Sequence, residues 1–596
     1  MQDHYDVVVV GSGYGGGIAA ARLAEAGRRV CVLERGRELH PGQYPDSLVG
    51  ALREMQASSP RGHLGRPTAM FDFHLNHDIS VLVGCGLGGT SLINANVAMR
   101  PQPWIFEDPR WPPELQGEAG VRELAPYFQR AELMLGSNPY PDSWPTLRKF
   151  EALERSARAL GAVAKPVKIN VTFETGPNAA GVEQRACVLC GDCVSGCNYR
   201  AKNTVLMNYL PYARGRDAHI FTEVQARTVR PSGPNEKGNW VVDLDLLGSG
   251  RFRFGNRPTQ SVRADEVILA AGTLGTTEIL LRSMKLGLPL SERVGERFTG
   301  NGDVLGFAYD TDQRVAGIGL GPRPPSRDRT VGPTILGAID MTREGGPSLA
   351  RSRTSKEHRG FLIEDGAIPG AAAGGAGLAA AFWAASLVLG EASPTNWAKM
   401  VRRVLGEAAA IPFGSRRGPL ARTMTYLLMS TDDDDGKLFL DGDRVAISWP
   451  DMGERPVFRL DSAGLKKAAQ GLRGAYIPNP LWTTPLGHSL VTVHPLGGCV
   501  MGSDPEGAVV DHLGRVFTGT SGSDGPEVHE GLYVMDGSIV PIPLDANPSL
   551  TISALAERMC ALMLRPKAGT SRPPPKPPPK PRPKPRPKAR TSRTRT

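Results

Sequence analysis

The chain has 596 residues, 40% hydrophobic and 22% charged, with 71 Gly and 51 Pro, the composition of a folded protein larger than one hydrophobic core usually organises and rich in turns and long connections. Its net charge of +10 is a property of one end: residues 565–596 carry 12 Lys and Arg and no acid, and the remainder balances 58 basic against 60 acidic residues. The body is therefore nearly neutral, and the basic pI is a property of the tail.

The opening run MQDHYDVVVVGSGYGGG has no basic n-region and no apolar h-region with a cleavage site, so no signal peptide is expected. A reducing cytoplasm is then the default location, with peripheral membrane association left open. The eight cysteines read as thiols or ligands rather than structural disulfides.

YDVVVV at residues 5–10 predicts a strand buried on both faces, followed by GSGYGG at residues 11–16, a helix ending at Gly27 and a second strand ending in Glu34. This βαβ setting gives the G-x-G-x-x-G match its meaning as a dinucleotide site. Gly11 permits the tight turn, Gly13 lets the backbone approach a pyrophosphate, and Gly16 lets the helix pack closely. Ser12 and Tyr14 share that loop, and the helix N-terminus faces the anion. Glu34 is placed to accept from a ribose hydroxyl and disfavours a 2′-phosphate, which argues against NADP. The fingerprint does not separate NAD from FAD.

Residues 84–101, GCGLGGTSLINANVAMRP, form a second glycine-rich loop whose amides can hold a flavin. Gly84, Gly88, Gly89 and Ser91 belong to it, with Asn94 as a polar hand. This run resembles the first signature of the glucose-methanol-choline (GMC) oxidoreductases, a resemblance that implies FAD and alcohol oxidation. Further along, FTEVQARTV at 221–229 resembles the family's strand whose backbone near Val224 would meet adenine. ADEVILAAGTLGTTEILLRS at 264–283 resembles a buried strand and Gly turn beside the cofactor, with Thr277 where the second signature has Pro or Ser.

Between them lies CVLCGDCVSGC, with cysteines at 187, 190, 193 and 197. C-x2-C-x2-C-x3-C is the spacing of a bacterial ferredoxin loop. Three readings stand: an iron-sulfur cluster at Cys187, Cys190 and Cys193, a zinc site, or a metal-free loop. The last is favoured. No Pro follows Cys197, and in the ferredoxin motif the fourth Cys serves a second cluster, so a single site would need another thiolate. The following CNYRAKNTVLMNYL also resembles cholesterol-oxidase-like relatives that are simple flavoproteins, with Arg200 in place of Gly.

FLIEDGAIPG carries Glu364 five residues before Pro369, a spacing found in cholesterol oxidases of the family, where the Glu relays a proton during double-bond isomerisation; the alternative is an exposed loop carboxylate. Residues 366–390 carry no charge after Asp365 and are read as an apolar lid or buried helix rather than a membrane span. The DDDD run at 432–435 is expected to be a solvated approach to a hairpin.

HPLGGCVMG at 494–502 and YVMDGSIVPIPLDANPSLTISALAER at 533–558 closely resemble the C-terminal runs of GMC cholesterol oxidases. Alcohol oxidation needs a base for the hydroxyl proton and a group that holds the oxygen. His494 and Asn547 are the candidates, and the resemblance implies those roles. Asp536 and Gly537 open the last cofactor turn, and the helix beginning at Ser549 presents its N-terminus to the flavin. The Pro-, Lys- and Arg-rich tail is expected to be an extended arm, either a tether or a handle for anionic lipid or an acidic partner.

The resemblance implies an α/β fold: a Rossmann-like FAD-binding domain of discontinuous segments (1–115, 205–300, 485–564) interleaved with a Cys-rich insertion (116–204) and an α+β substrate-binding domain (301–484), then the tail at 565–596. It implies oxidation of a secondary alcohol, the 3β-hydroxyl of a sterol, with 5-ene to 4-ene isomerisation if Glu364 acts, and re-oxidation by oxygen. Two alternatives stay open: a dehydrogenase of another bulky apolar alcohol serving an electron carrier, and a non-enzymatic flavin-bearing scaffold.

Overall fold

The computed structural model describes residues 1–234, 236–248, 260–342, 360–372, 418–479, 489–522 and 525–565. Of the uncharged segment this includes 366–372, and of the tail Arg565; residues 373–390 and 566–596 lie outside the described residues. Among the described residues no helix is long and apolar enough to cross a membrane.

The first strand, His4–Val10, is central because its side chains are apolar on both faces, and Val7 to Val9 are fully buried. It pairs in parallel with Val30–Leu33 on one side and Gln260–Leu269 on the other. His219–Phe221 extends the parallel order beyond Val30–Leu33, and Gly525–Val534 extends it beyond Gln260–Leu269. An antiparallel ribbon, Val224–Pro231 with Trp240–Leu246, joins the first half of Gln260–Leu269. Three separated stretches of chain, 4–33, 219–269 and 525–534, thus build one sheet.

The helix Tyr14–Glu25 returns over this sheet, and its small residues set the distance. A Cβ at Gly16 would lie 2.0 Å from the Gly11 carbonyl oxygen, and one at Gly15 would lie 1.5 Å from that of Met535. The C-terminal helix Ser549–Met563 packs against both Tyr14–Glu25 and Gly117–Met134. Its buried Glu557 receives Arg22 and the Tyr209 hydroxyl.

A second sheet of six strands is antiparallel throughout, in the order Ala475–Pro478, Val304–Tyr309, Met424–Ser430, Phe361–Gly366, Gly337–Asp340, Ala164–Pro166. Helices Arg148–Leu160 and Pro456–Gly471 share a core with it that includes Phe361 and Ile363, while Leu362 belongs to a separate cluster. That alternation is the period-2 signature of a sheet buried on both faces. A third sheet carries Leu490–Thr492, paired in parallel with Ile79–Gly84, so the residues leading to His494 and the glycine loop that starts at Gly84 leave neighbouring strands. The Rossmann-like α/β body beside a largely antiparallel second unit is the fold class expected from the chain.

The DDDD run departs from expectation. The hairpin is present, Lys437–Asp441 with Arg444–Ser448, and Asp433 and Asp435 are exposed, but Asp432 is buried. Its carboxyl accepts from Thr299 Oγ1 and from the amides of Gly300 and Gly302 at 3.0 and 2.9 Å. Three donors aimed at one carboxyl make burial affordable, and a count of charges could not show them.

Candidate active site

The three sheets contribute to the lining of a cavity of about 930 Å³, at the upper end of the range for ligand sites. Gly11, Ser12, Gly13 and Tyr14 line it together with Glu34 and Val224. Gly13 is the N-cap of Tyr14–Glu25 and supplies no side-chain cap, so the first-turn amides are left for a ligand. A Cβ built on Gly13 would meet nothing within 4 Å, whereas one on Gly11, at φ +94°, would sit 2.3 Å from the Ala270 oxygen. The first glycine is demanded by the fold and the second leaves the backbone bare toward the cavity.

Glu34 binds its own loop as well as facing the cavity. Its carboxylate accepts from Ser12 N at 3.1 Å, Ser12 Oγ at 2.6 Å and Gly36 N at 2.7 Å. Beside it Arg35 also lines the cavity and pairs with Asp72, which lies 3.2 Å from His74 Nε2. Burial opposes ionisation of Asp72, but the charges of Arg35 and His74 outweigh it and hold the carboxyl well below the usual range. Arg35 was adjacent to a singled-out residue in the sequence, yet its partner is 37 positions away.

Gly84, Gly89 and Asn94 also line it, as do Asp536 and Gly537. Asn94 Nδ2 donates to Tyr14 Oη at 2.6 Å. Asp536 ties two turns together, accepting from Gly272 N at 2.9 Å and from Ser538 N and Oγ at 2.9 and 2.6 Å. Gly16, Gly88 and Ser91 are not part of the lining. Their work is behind it: Gly88 N donates to Ser12 Oγ, and Ser91 Oγ donates to Gly88 O and accepts from Val205 N.

His494, Asn547 and Ser549 line the far end. Ser549 opens the helix Ser549–Met563, which has no side-chain cap. Asn547 Nδ2 donates to Glu364 Oε2 at 3.2 Å, while Asn547 Oδ1 and Glu364 Oε1 are buried without a partner among the described residues. Glu364 is no loop carboxylate: it sits on Phe361–Gly366, fully buried and behind Asn547 rather than on the cavity wall. Burial raises its carboxyl to about 8 against the opposing pull of Asn547 and His494.

His494 Nδ1 lies 2.7 Å from Asp303 Oδ1, and its Nε2 makes no hydrogen bond among the described residues. Burial pulls the imidazole downward in pKa, but the charges of Asp303 and Glu364 outweigh it, so the net shift is upward. Nothing in the run TGNGD marked Asp303 out; only its position beside His494 does.

The second sheet closes this end with Leu305 and Leu427, and Ile335 and Ala371 lie alongside. One step behind the wall, Lys149 is fully buried against Asp365 Oδ2 at 2.5 Å and Thr334 O at 2.8 Å.

The cysteine loop abuts the same cavity through Val194 and Ser195. Cys187, Cys190, Cys193 and Cys197 line a separate cavity of about 20 Å³. All are free thiols. Burial, aided by the neighbouring Cys193, pushes Cys187, Cys190 and Cys197 upward. Among the described residues no group of three or more His, Cys, Asp or Glu is placed to hold a metal ion. Lys202, in the run after the cysteines, fastens the loop to the cofactor wall by donating to Leu92 O, Asn94 O and Cys193 O at 2.9, 2.7 and 3.0 Å.

The residues present fit FAD. The uncapped helix at Gly13 suits a pyrophosphate, the Glu34 carboxylate a ribose, and the loops at 84–94 and 536–549 line a space where buried Asn547 Oδ1 lacks a partner among the described residues.

Two family profiles described as GMC oxidoreductase match residues 6–300 and 481–556. The chain is 28% identical to a cholesterol oxidase of Mycobacterium tuberculosis (strain CDC 1551 / Oshkosh), over 97% of this chain and 94% of that protein. It is 26% identical to a cholesterol oxidase of Acinetobacter baumannii, over 93% of each. Among solved structures, pyridoxine 4-oxidase from Mesorbium loti superposes with a TM-score of 0.57 at 19% identity, covering 94% of this chain and 99% of the other.

Proposed function

The chain belongs to the GMC oxidoreductase family, as an FAD-dependent alcohol oxidoreductase, and from that premise we propose that its substrate is a bulky apolar secondary alcohol, the 3β-hydroxyl of a sterol. An enzyme of this kind needs no scaffold role to explain its flavin site.

Alcohol oxidation removes a hydride from carbon and a proton from oxygen; FAD, when bound, supplies the hydride acceptor. The proton goes to His494 Nε2, the ring nitrogen without a hydrogen bond among the described residues. Asn547 holds the substrate oxygen with the amide hydrogen it does not give to Glu364. Gly11 and Gly13 would hold the pyrophosphate, Glu34 the ribose, and the loops around Asn94 and Gly537 the flavin.

The observation that carries the substrate class is the wall beyond His494 and Asn547. Leu305, Ile335, Leu427 and Ala371 offer apolar contact to a ring system, and Thr334, Asp365 and Thr425 are the polar members of the lining contributed by the same strands and loops. The likeness to two cholesterol oxidases over nearly the whole chain supports the same reading. Glu364, buried and with its carboxyl raised to about 8, has the protonation range of a relay that takes a proton from the ring and returns it. It reaches substrate by giving up its contact with Asn547.

The test is anaerobic mixing with 3β-hydroxysterols, long-chain alcohols, sugars and choline while the flavin absorbance is followed. Rapid bleaching by 3β-hydroxysterols alone is expected. Bleaching by sugars or choline but not by sterols overturns the substrate assignment. Admission of air then separates the acceptors: peroxide and recovered colour mark oxygen, and a flavin that stays reduced until a soluble carrier is added marks a dehydrogenase.

A further inference from the structure

We infer that Asp303 is the positioning residue of the site, fixing His494 as the tautomer with its proton on Nδ1 and a bare Nε2 toward the cavity. The inference rests on the reading of His494 as the base.

Asp303 sits one residue before the strand Val304–Tyr309, and its side chain is 2% exposed. One carboxylate grips three consecutive residues: Oδ1 meets His494 Nδ1 at 2.7 Å, and Oδ2 accepts from Thr492 Oγ1 at 2.8 Å and from Val493 N at 2.9 Å. Thr492 Oγ1 in turn accepts from His494 N at 2.9 Å. Ring and backbone of the base are therefore set by a residue 191 positions away.

The loop that presents Asp303 is itself held on every side. Asp432 accepts from Thr299, Gly300 and Gly302. Asn301, at φ 57°, donates from Nδ2 to Ala546 O at 3.0 Å and accepts Leu544 N on Oδ1 at 2.7 Å. A Cβ on Gly302, at φ +64°, would lie 2.1 Å from Ser430 O. Five residues thus tie the segment carrying His494 to the segment carrying Asn547, which explains how two groups 53 positions apart keep one geometry.

The chemistry follows from the acceptor. A carboxylate can only accept, so a neutral imidazole facing Asp303 must carry its proton on Nδ1. Nε2 then has a lone pair for the hydroxyl proton, and the imidazolium formed is stabilised by the adjacent negative charge. Glu364, on Phe361–Gly366 two strands away from Val304–Tyr309 in the same sheet, is the other titratable group acting on the ring, and together with Asp303 it raises the His494 pKa against the opposing effect of burial. Replacing Asp303 by Asn offers Nδ1 an N–H donor and moves the ring proton to Nε2, turning the base into a donor.

The tautomer is read directly from the nitrogen-15 spectrum of full-length protein labelled at histidine, with His494 assigned by difference from His494→Gln. The expected wild-type spectrum above the imidazole pKa shows a protonated Nδ1 and an unprotonated Nε2; the reverse pattern overturns the inference. In Asp303→Asn, flavin reduction by substrate is expected to fall about 10²- to 10⁴-fold, with the pH profile displaced to lower pH and the substrate dissociation constant little changed. An Asn variant that reduces its flavin at the wild-type rate with the wild-type profile also overturns it. If the variant does not fold, the wild-type spectrum decides. A wild-type flavin that no alcohol reduces refutes the functional reading instead, and the nitrogen spectrum still judges the tautomer.

Discussion

Glu364 and Asn547 meet at 3.2 Å in the buried end of the cavity, and each keeps one oxygen without a partner among the described residues. A carboxyl buried this completely, with one amide donor, holds its proton far above the ordinary range. Two consequences are measurable, one in chemistry and one in stability.

Glu364→Gln keeps the size and the hydrogen bonding of the side chain but cannot take a proton. With a 3β-hydroxy-5-ene sterol the variant is expected to stop at the unconjugated 5-en-3-one, while the wild type proceeds to the 4-en-3-one. Ultraviolet absorbance of the extracted product distinguishes them. Wild-type isomerisation should rise with pH through about 8, the pH at which the carboxyl ionises. Conjugated product from the variant would leave oxidation standing and remove Glu364 from the mechanism.

In the unfolded chain the same carboxyl titrates near about 4.3. Between that pH and about 8 the folded protein retains a proton the unfolded chain has released, so this residue's contribution to stability is present at low pH and is lost as pH rises through the window. Other buried carboxyls, Asp432 and Asp461 among them, are also raised by burial, so the contribution of Glu364 is the difference between wild type and Glu364→Gln. Urea midpoints at pH 5 and 8 should fall further for the wild type. Equal declines would mean Glu364 is ionised at pH 5.

His494→Gln keeps a donor and removes the base. Flavin reduction is expected to drop about 10²- to 10⁴-fold with the yellow cofactor retained, as followed by stopped-flow absorbance. A variant reduced at the normal rate would move the base elsewhere.

Gly11 and Gly13 should separate fold from cofactor. At Gly13 a Cβ meets no protein atom within 4 Å, so Gly13→Ala should keep the melting temperature of the flavin-free protein and weaken FAD binding about tenfold or more, roughly 1.4 kcal/mol. Gly11→Ala places a Cβ 2.3 Å from Ala270 O at φ +94° and should lose both stability and flavin. Calorimetry and flavin titration report the two effects apart.

Lys149 and Asp365 form a fully buried pair, with Asp365 in the cavity lining and Lys149 behind it. Burial lowers the Lys149 pKa, and the Asp365 charge opposes that pull. Asp365 also accepts the amides of Leu336 and Gly337 at 2.7 and 2.8 Å. Lys149→Met leaves a buried carboxylate with no cation, so a loss of about 3 to 5 kcal/mol is expected from denaturant unfolding. A loss below about 1 kcal/mol would mean that the two backbone amides alone hold Asp365.

By itself the sequence determined what is local. A Val run, a glycine fingerprint and a second strand ending in an acid specify a βαβ unit, because strand, turn and helix are each encoded within a few residues of one another. His494, Asn547 and Asp536 were legible as candidates, since each sits in a run whose pattern is contiguous, and all three line the cavity. What the tertiary structure decided is every relation across distance. Glu364 read as easily as a loop carboxylate until a six-stranded sheet buried it behind Asn547. Asp432 read as solvated until three donors from residues 299–302 closed on it. Asp303, Arg35 and Lys149 carried no signal at all, because a lone charged residue has the same local pattern on a surface as in a core. Only packing fixes whether such a group faces water or a partner 37, 191 or 216 positions away, and it is the cost of burying an unpaired charge that makes the partner obligatory.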